Sequence, residues 1–394
     1  MRKRVLSFFL SVFVLFSLFT TYLSADTDLP PEDESASAEP IPELNLNVKS
    51  AVLMEPMTGK ILYEQNAEEA FAPASVTKVM TMLLVFETLA NGSIHKDDKV
   101  TISAYAASMG GSQVFLEEGE VMSVDELLKC MIIASANDAA VALAEYTMGS
   151  ESSFVDKMNT RASELGMTSA HFENVTGLDD DTTNHVLSAK DIAIATKELY
   201  KYPEVFEYSS VWMDTIRDGS FTLSNTNRLI RYYSGATGLK TGSTDKAGFC
   251  ISATAERDGM SLIAVVMGSP TRDARNAAAK ALFDWGFSTY CLYQDAERSE
   301  ANVPVSGGLA ETISTKSSSI QFVVPKADKS KIERVISLQS KVIAPVKAGA
   351  EIGTASYYVD GELIATAPIY ADEDVEAVTF LALFVRMLKI FTLA

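Results

Sequence analysis

Pro73-Ala74-Ser75-Val76-Thr77-Lys78-Val79-Met80-Thr81 is the stretch on which the reading of this chain turns. An apolar run continues from about Val76 to Leu89 and stops at Asn91-Gly92, which together predict a long helix following Pro73. Its first turn carries Ser75, and Lys78, three residues on, shares that helix face. Backbone N–H groups at such a terminus favour developing negative charge. A serine hydroxyl is a poor nucleophile until a base takes its proton. A neutral lysine is such a base when burial or nearby cations depress its pKa. Ser-x-x-Lys alone is a weak signal, and its place at a helix start gives it weight.

Two further short motifs lie downstream. Ser135-Ala136-Asn137 interrupts two helical patterns, Asp125 to Ile133 and Asp138 to Tyr146. A serine there can relay a proton and an asparagine can hold a substrate amide. The plain alternative is a cap for the second helix. Lys240-Thr241-Gly242 sits inside a strand pattern, where glycine leaves room for a ligand backbone to approach and the lysine adds a cation. Its plain alternative is a turn lysine.

Composition narrows the classes. The 394 residues suffice for two domains plus tails, and 47% are hydrophobic, so a sizeable core is expected. A formal net charge of -19 argues against nucleic acid as a partner, because phosphate contacts need clustered Lys and Arg. The three histidines, His95, His171 and His185, lack metal-ligand spacing and read as surface or structural residues. They also leave no support for a Ser-His-Asp mechanism. Neither a metal nor another cofactor is implied. Cys130, Cys250 and Cys291 read as small buried side chains, not as a disulfide framework.

Along the chain, Arg2-Lys3-Arg4, an apolar run from Val5 to about Phe19 and Ser24-Ala25 form the pattern of a signal peptide over 1–25. Leu23 is larger than ideal before the cleavage site, so an uncleaved anchor is the alternative. Either form implies export. Residues 26–43 read as an acidic, Pro-rich linker. Ala51–Met54 and Lys60–Tyr63 flank Pro56-Met57-Thr58-Gly59 as a hairpin. Ser188 to Leu199 reads as a helix capped by Ser188 with Asp191 in its first turn. Gly238 to Thr254 and Met260 to Met267 read as a second hairpin about Asp258-Gly259, and Asp273 to Trp285 as a helix. From about 295 to 370, short Ser-, Val-, Ile- and Thr-rich runs between glycine turns predict a small all-β module. From Val375 to Ala394 the chain is apolar but carries Arg386 and Lys389. With Thr379 and Ala382 these form a narrow stripe opposite Phe380, Phe384, Met387 and Phe391, the pattern of a helix lying in a membrane interface. Docking onto the protein's own core is the alternative.

In this order and at these separations, S-x-x-K, S-x-N and K-T-G resemble the serine penicillin-recognising enzymes. The surrounding text, Ser135-Ala136-Asn137-Asp138-Ala139-Ala140 and Lys240 through Gly248, with Gly177-Leu178-Asp179, Val266-Met267-Gly268 and Trp285-Gly286-Phe287, narrows this. It resembles the low-molecular-mass penicillin-binding proteins that act as D-Ala-D-Ala carboxypeptidases, closely over about 45–290. The resemblance implies an α/β catalytic domain of the serine β-lactamase/penicillin-binding-protein type over 44–291, an antiparallel sheet covered by helices beside a helical lobe. It also implies an all-β domain over 292–372 and an amphipathic membrane-association helix over 373–394.

Carried over residue by residue, the resemblance makes Ser75 the nucleophile, Lys78 its base and Ser135 a proton relay. Asn137 would bind the substrate amide. Lys240, Thr241 and Gly242 would face the substrate, with Arg275 as a second carboxylate-binding cation and Arg272 as its competitor. Backbone N–H groups of Ser75 and Ser243 would form the oxyanion hole. The implied partners are peptidoglycan stem peptides, β-lactams as covalent inhibitors, and a membrane surface through residues 375–394. The implied location is the outer face of the cytoplasmic membrane. A β-lactamase is opposed by Ala136 in place of the usual Asp and by the lack of a matching Glu motif. A non-catalytic sensor is opposed by intact catalytic positions. A DD-endopeptidase stays open.

Overall fold

The structure, a computed structural model, describes residues 44–393, except the side chains of 386 and 389–393, and the fold below is that of the compact unit beginning at Leu46. The expected signal peptide and linker lie outside the described residues.

The first hairpin forms as read. Strands β1 (Ser50–Glu55) and β2 (Lys60–Gln65) pair antiparallel. Glu55, buried at the turn, accepts hydrogen bonds from the Met57 and Thr58 N–H groups and from the Thr58 hydroxyl. The expected second hairpin is two hairpins. The run from Gly238 to Thr254 is divided by a turn at Asp245–Ala247 into β3 (Ala236–Thr244) and β4 (Gly248–Arg257), with β5 (Met260–Ser269) beyond Asp258-Gly259. The turn follows Ser243, which is exposed, and lies in the polar run Thr241 through Lys246 ahead of Gly248, a signal that the single-strand reading of this stretch passes over. These strands form one antiparallel sheet in the order β2-β1-β5-β4-β3.

The sheet is covered on both faces. Val52 and Met54, with Ile263, Val265 and Met267, join the core of the helical lobe, whereas Leu53 and Leu262 pack against Gly286 of the helix Arg272–Thr289. That helix, capped by Thr271, runs four residues past the expected end at Trp285. The helical lobe contains α1 (Lys78–Ala90), α2 (Val124–Ile133), α3 (Asn137–Met148), α4 (Glu151–Glu164) and α5 (Ala189–Leu199). Capping boxes start α2 (Ser123/Glu126) and α5 (Ser188/Asp191), the latter as read from sequence. The core side chains of α1, from Val79 through Phe86, are buried all round. At ~1.5–3 kcal/mol for each fully buried apolar side chain, this helix is a rigid post for whatever its first turn carries.

Beyond Thr289 the chain is β. The strand Tyr290–Asp295 pairs with Ile320–Pro325, and a second five-stranded sheet contains Glu333–Leu338, Glu351–Val359 and Glu362–Ala371. Lys60 Nζ donates to the Val323 carbonyl at 3.4 Å, one link between β2 and this module. The last helix starts later than expected. Val375 is buried and bridges Val346, Ala377 bridges Gly308, and the helix spans Phe380–Leu393. Phe380, Leu381, Leu383, Phe384, Val385, Met387 and Leu388 are exposed on it. The side chains of Arg386 and Lys389 in the expected stripe, and of Phe391 on the face opposite it, lie outside the described residues.

Candidate active site

The start of α1 differs in detail from the sequence reading. Ala74–Thr77 is a 3₁₀ turn and the α-helix proper begins at Lys78. The turn is tight. Ala74 has φ +48°, and a Cβ on Gly177 (φ +80°) would fall 1.8 Å from the Ala74 carbonyl oxygen. Only glycine at 177 lets that loop lie on the turn. Ser75 is half-buried, and Lys78 is completely buried behind it.

Lys78 Nζ lies 3.0 Å from Ser75 Oγ, donates to Asn137 Oδ1 at 2.6 Å and to the Thr176 carbonyl at 3.0 Å. Burial pushes its pKa well below the ordinary value, and the Lys240 charge adds to this. Asp138 opposes the shift. Ser135, between α2 and α3, has φ +64° and accepts a 2.7 Å hydrogen bond from Lys240 Nζ. Burial and then Arg275 push Lys240 down to about 7. Strained backbone at both Ala74 and Ser135 is a frequent companion of function.

Lys240, Thr241 and Gly242 lie on β3, facing this cluster. Thr241 Oγ1 donates to Thr226 Oγ1 at 2.9 Å. The expected reason for Gly242 needs correction. A Cβ there would lie 2.6 Å from the Ser75 N and 2.9 Å from the Val76 N. Glycine is required by the close approach of the Ser75 turn itself, not only by a ligand. Ser243 is exposed at the next position. Arg275, on the helix Arg272–Thr289, is buried, and its guanidinium donates to Asn276 Oδ1 and to the Cys250 carbonyl. Burial and Arg272 lower its pKa, but a guanidinium stays charged at neutral pH.

These groups border a cleft of about 390 Å³ lined by Ser75, Ser135, Thr241, Gly242 and Ser243, with Arg228, Arg272 and Arg275 among the remaining wall residues. Among the described residues no carboxylate side chain lines it. Both Arg275 and its competitor Arg272 reach the wall. The arrangement can activate a hydroxyl against a buried amine and hold an anion beside it.

Sequence reasoning missed four contributors. Arg228 is one, and Thr226 is another. His185 is buried, accepts at Nδ1 from the Glu173 N–H (3.0 Å), and so presents Nε2–H to Thr77 Oγ1 at 2.8 Å. Burial lowers its pKa to about 4, so it is a neutral brace for the Ser75 turn. Asp138 is fully buried and accepts from the Val114 and Leu116 N–H groups at 3.1 Å. Its position directly after Asn137, inside an apolar run, was the available signal. His185 had none.

A family model described as D-alanyl-D-alanine carboxypeptidase matches residues 34–271, and one described as penicillin-binding protein 5, C-terminal domain, matches 287–377. The chain is 43% identical over 357 residues to the D-alanyl-D-alanine carboxypeptidase DacF of Bacillus subtilis, covering 89% of this chain and 91% of that one. Penicillin-binding protein 5 from Haemophilus influenzae superposes with a TM-score of 0.76 at 31% identity, over 85% of this chain and 99% of that chain. Penicillin-binding protein D2 from Listeria monocytogenes, in its ampicillin-bound form, matches 62% of this chain and 100% of its own, with a TM-score of 0.57 and 34% identity.

Proposed function

This chain belongs to the D-alanyl-D-alanine carboxypeptidase family, and from that premise we propose how its residues divide the work. The enzyme is a serine-type D-Ala-D-Ala carboxypeptidase that removes the terminal D-alanine of peptidoglycan stem peptides and is acylated by β-lactams. The observation that carries the division of roles is the buried Lys78 amine, 3.0 Å from Ser75 Oγ with a depressed pKa. A buried lysine so placed is neutral often enough to take the hydroxyl proton.

Ser75 Oγ attacks the carbonyl of the scissile bond as Lys78 takes its proton. The oxyanion meets the backbone N–H groups of Ser75 and Ser243. Asn137 holds the substrate amide, and Ser135 passes a proton toward the leaving amine. Lys240, Thr241 and Arg275 receive the terminal carboxylate, with Gly242 keeping β3 against the nucleophile turn. D-Alanine leaves, and water then hydrolyses the ester. A β-lactam follows the first half, but its opened ring stays attached and obstructs the water.

The same premise supports a catalytic domain over 44–291 and an all-β domain over 292–372, the strand Tyr290–Asp295 carrying the chain across. It supports export through residues 1–25 and peripheral membrane attachment by the C-terminal helix, on which Phe380, Leu381, Phe384 and Met387 are exposed. Among the described residues no helix is long and apolar enough to cross a membrane.

Mass spectrometry with penicillin and with a peptide ending in D-Ala-D-Ala tests the roles. The wild type is labelled and releases D-alanine, and Ser75→Ala does neither. Covalent label on folded Ser75→Ala overturns the assignment of the nucleophile. Attachment is tested by flotation with anionic vesicles. The mature chain floats, and a truncation from Val375 stays soluble with peptide activity intact. Equal flotation of both moves the anchor elsewhere, and flotation of neither returns the helix to the protein's own surface.

A further inference from the structure

We propose that Arg217 is a positioning residue for the serine–lysine chemistry, clamping the loop 110–116 on which the orientation of Asn137 depends. The proposal rests on the reading of the cleft given above.

The dependence begins at Asn137. Its Nδ2 donates to the Gly110 carbonyl at 2.7 Å, and its backbone N–H donates to the Ser112 carbonyl at 2.7 Å. With Nδ2 turned to the loop, Oδ1 faces Lys78 Nζ at 2.6 Å. Reversing the amide would set an NH₂ against the lysine amine. The loop therefore decides which end of Asn137 the catalytic amine meets.

The loop does not hold itself. Val114, Phe115 and Leu116 belong to no helix or strand, and Phe115 is 65% exposed at φ +58°. A non-glycine residue so placed stores about 1–3 kcal/mol and persists only where its surroundings enforce it. Enforcement comes from two sides. On the inner side the Asp138 carboxylate accepts the Val114 and Leu116 N–H groups. On the outer side Arg217 Nη1 donates to the Val114 carbonyl and Nη2 to the Phe115 carbonyl, each at 3.0 Å. The same guanidinium grips Glu120 at 2.7 and 3.0 Å, which fixes its plane.

Arg217 is itself the tip of a hairpin, Met213–Ile216 with Phe221–Ser224, at φ +52° beside Asp218 at φ +53°. The base of that hairpin supplies Trp212, Ser224 and Asn225 to the cleft, and the loop supplies Ser112. One guanidinium thus ties together two strained segments that form separate parts of the wall.

The test is the rate of penicillin acylation against concentration, by stopped flow on the purified chain, beside its thermal unfolding midpoint. In Arg217→Met the maximal acylation rate falls roughly ten- to a hundredfold, the scale of a small misplacement of reacting groups. The half-saturating concentration changes less than the maximal rate, because Asn137 supplies one binding contact whereas the groups that receive the carboxylate lie on other elements. Glu120→Gln keeps both bonds to the loop carbonyls and acylates nearly as wild type. Arg217→Lys, able to reach one carbonyl, falls between, and it decides the matter if Arg217→Met does not fold. A folded Arg217 variant with a wild-type maximal rate overturns the proposal. So does a change confined to half-saturation, or a loss in Glu120→Gln equal to that in Arg217→Met. A wild type that takes no penicillin overturns instead the reading of the cleft beneath it.

Discussion

In the cleft, Lys78, Lys240 and Arg275 are buried basic side chains with no carboxylate within ion-pair distance among the described residues; in the β module, half-buried Arg334 lies between Asp295 and Glu300, at 3.1 and 2.5 Å. Tyr357 donates to the same Asp295 at 2.7 Å, and Arg298 joins it from the rim. The two regions shift their cations in opposite directions. Burial lowers all three in the cleft. Around Arg334, desolvation also pulls downward but hydrogen bonds to Glu300 and Tyr357 outweigh it, and Asp295 and Glu300 are held below the usual carboxylate range. A charge shielded from water and fully paired is a structural fixture. A buried charge left without its counter-ion is a vacancy for a substrate's, or an amine ready to act as a base.

The largest expected effect comes from denying the cleft its neutral amine. Lys78→Arg keeps the charge but cannot deprotonate, so penicillin acylation and D-alanine release fall on the order of 10²–10⁴-fold. Near-normal turnover would make Lys78 only a charge and erase the contrast with Arg334.

Next is the module's own cluster. Arg334→Met removes the cation shared by Asp295 and Glu300, leaving Asp295 to Arg298 and Tyr357, which costs about 1.5–3 kcal/mol and is read as a lower unfolding midpoint of the module, with acylation by penicillin unchanged in the folded protein. Loss of acylation with an unchanged midpoint would reverse the roles assigned to the two regions.

His185 sharpens the comparison, since it is buried and neutral on its brace. Its pKa is pushed down to about 4 from 6.5 by burial. The stability this gives is present above the unfolded pKa near 6.5 and drains as pH falls toward 4, amounting to up to about 3 kcal/mol. His185→Gln removes that part of the acid sensitivity, seen as a flatter dependence of the unfolding midpoint between pH 6.5 and 4. An unaltered slope would mean that carboxylates alone set it.

The smallest effect is on specificity. Substrates with an amidated C-terminus react poorly with the wild type, and Arg275→Ala narrows the gap between free-acid and amide peptides by roughly tenfold, the scale of one charge-assisted hydrogen bond. Discrimination that survives intact would shift the role to Arg272 or Lys240. Because Arg275 has no buried counter-ion to strand, its unfolding midpoint should move far less than that of Arg334→Met.

Local reading succeeded where the determinant was local. Ser75 and Lys78 lie three residues apart on one turn, Ser188 and Asp191 cap one helix, and Pro56-Met57-Thr58-Gly59 turns one hairpin. It failed at Asp245–Ala247, where the polar, glycine-bounded stretch Thr241 through Gly248 reads as part of one strand although it turns the chain between two. It failed again at Val375, whose pairing with Val346 depends on a distant strand end and holds the chain out of helix until Phe380.

What the sequence by itself determined is the family, several of the elements around the cleft and the candidate chemistry-bearing side chains, because each rests on residue type and short spacing. What only the tertiary structure decided is the state of those side chains. Ser135 meets Lys240 across 105 positions, and Thr77 meets His185 across 108. Arg217 reaches its loop carbonyls across 103 and 102. Burial, the neighbours that replace water and the backbone strain at Ala74, Ser135 and Phe115 arise only when those segments close on one another. A pKa or a held rotamer belongs to that closed environment, and no short run of residues carries it.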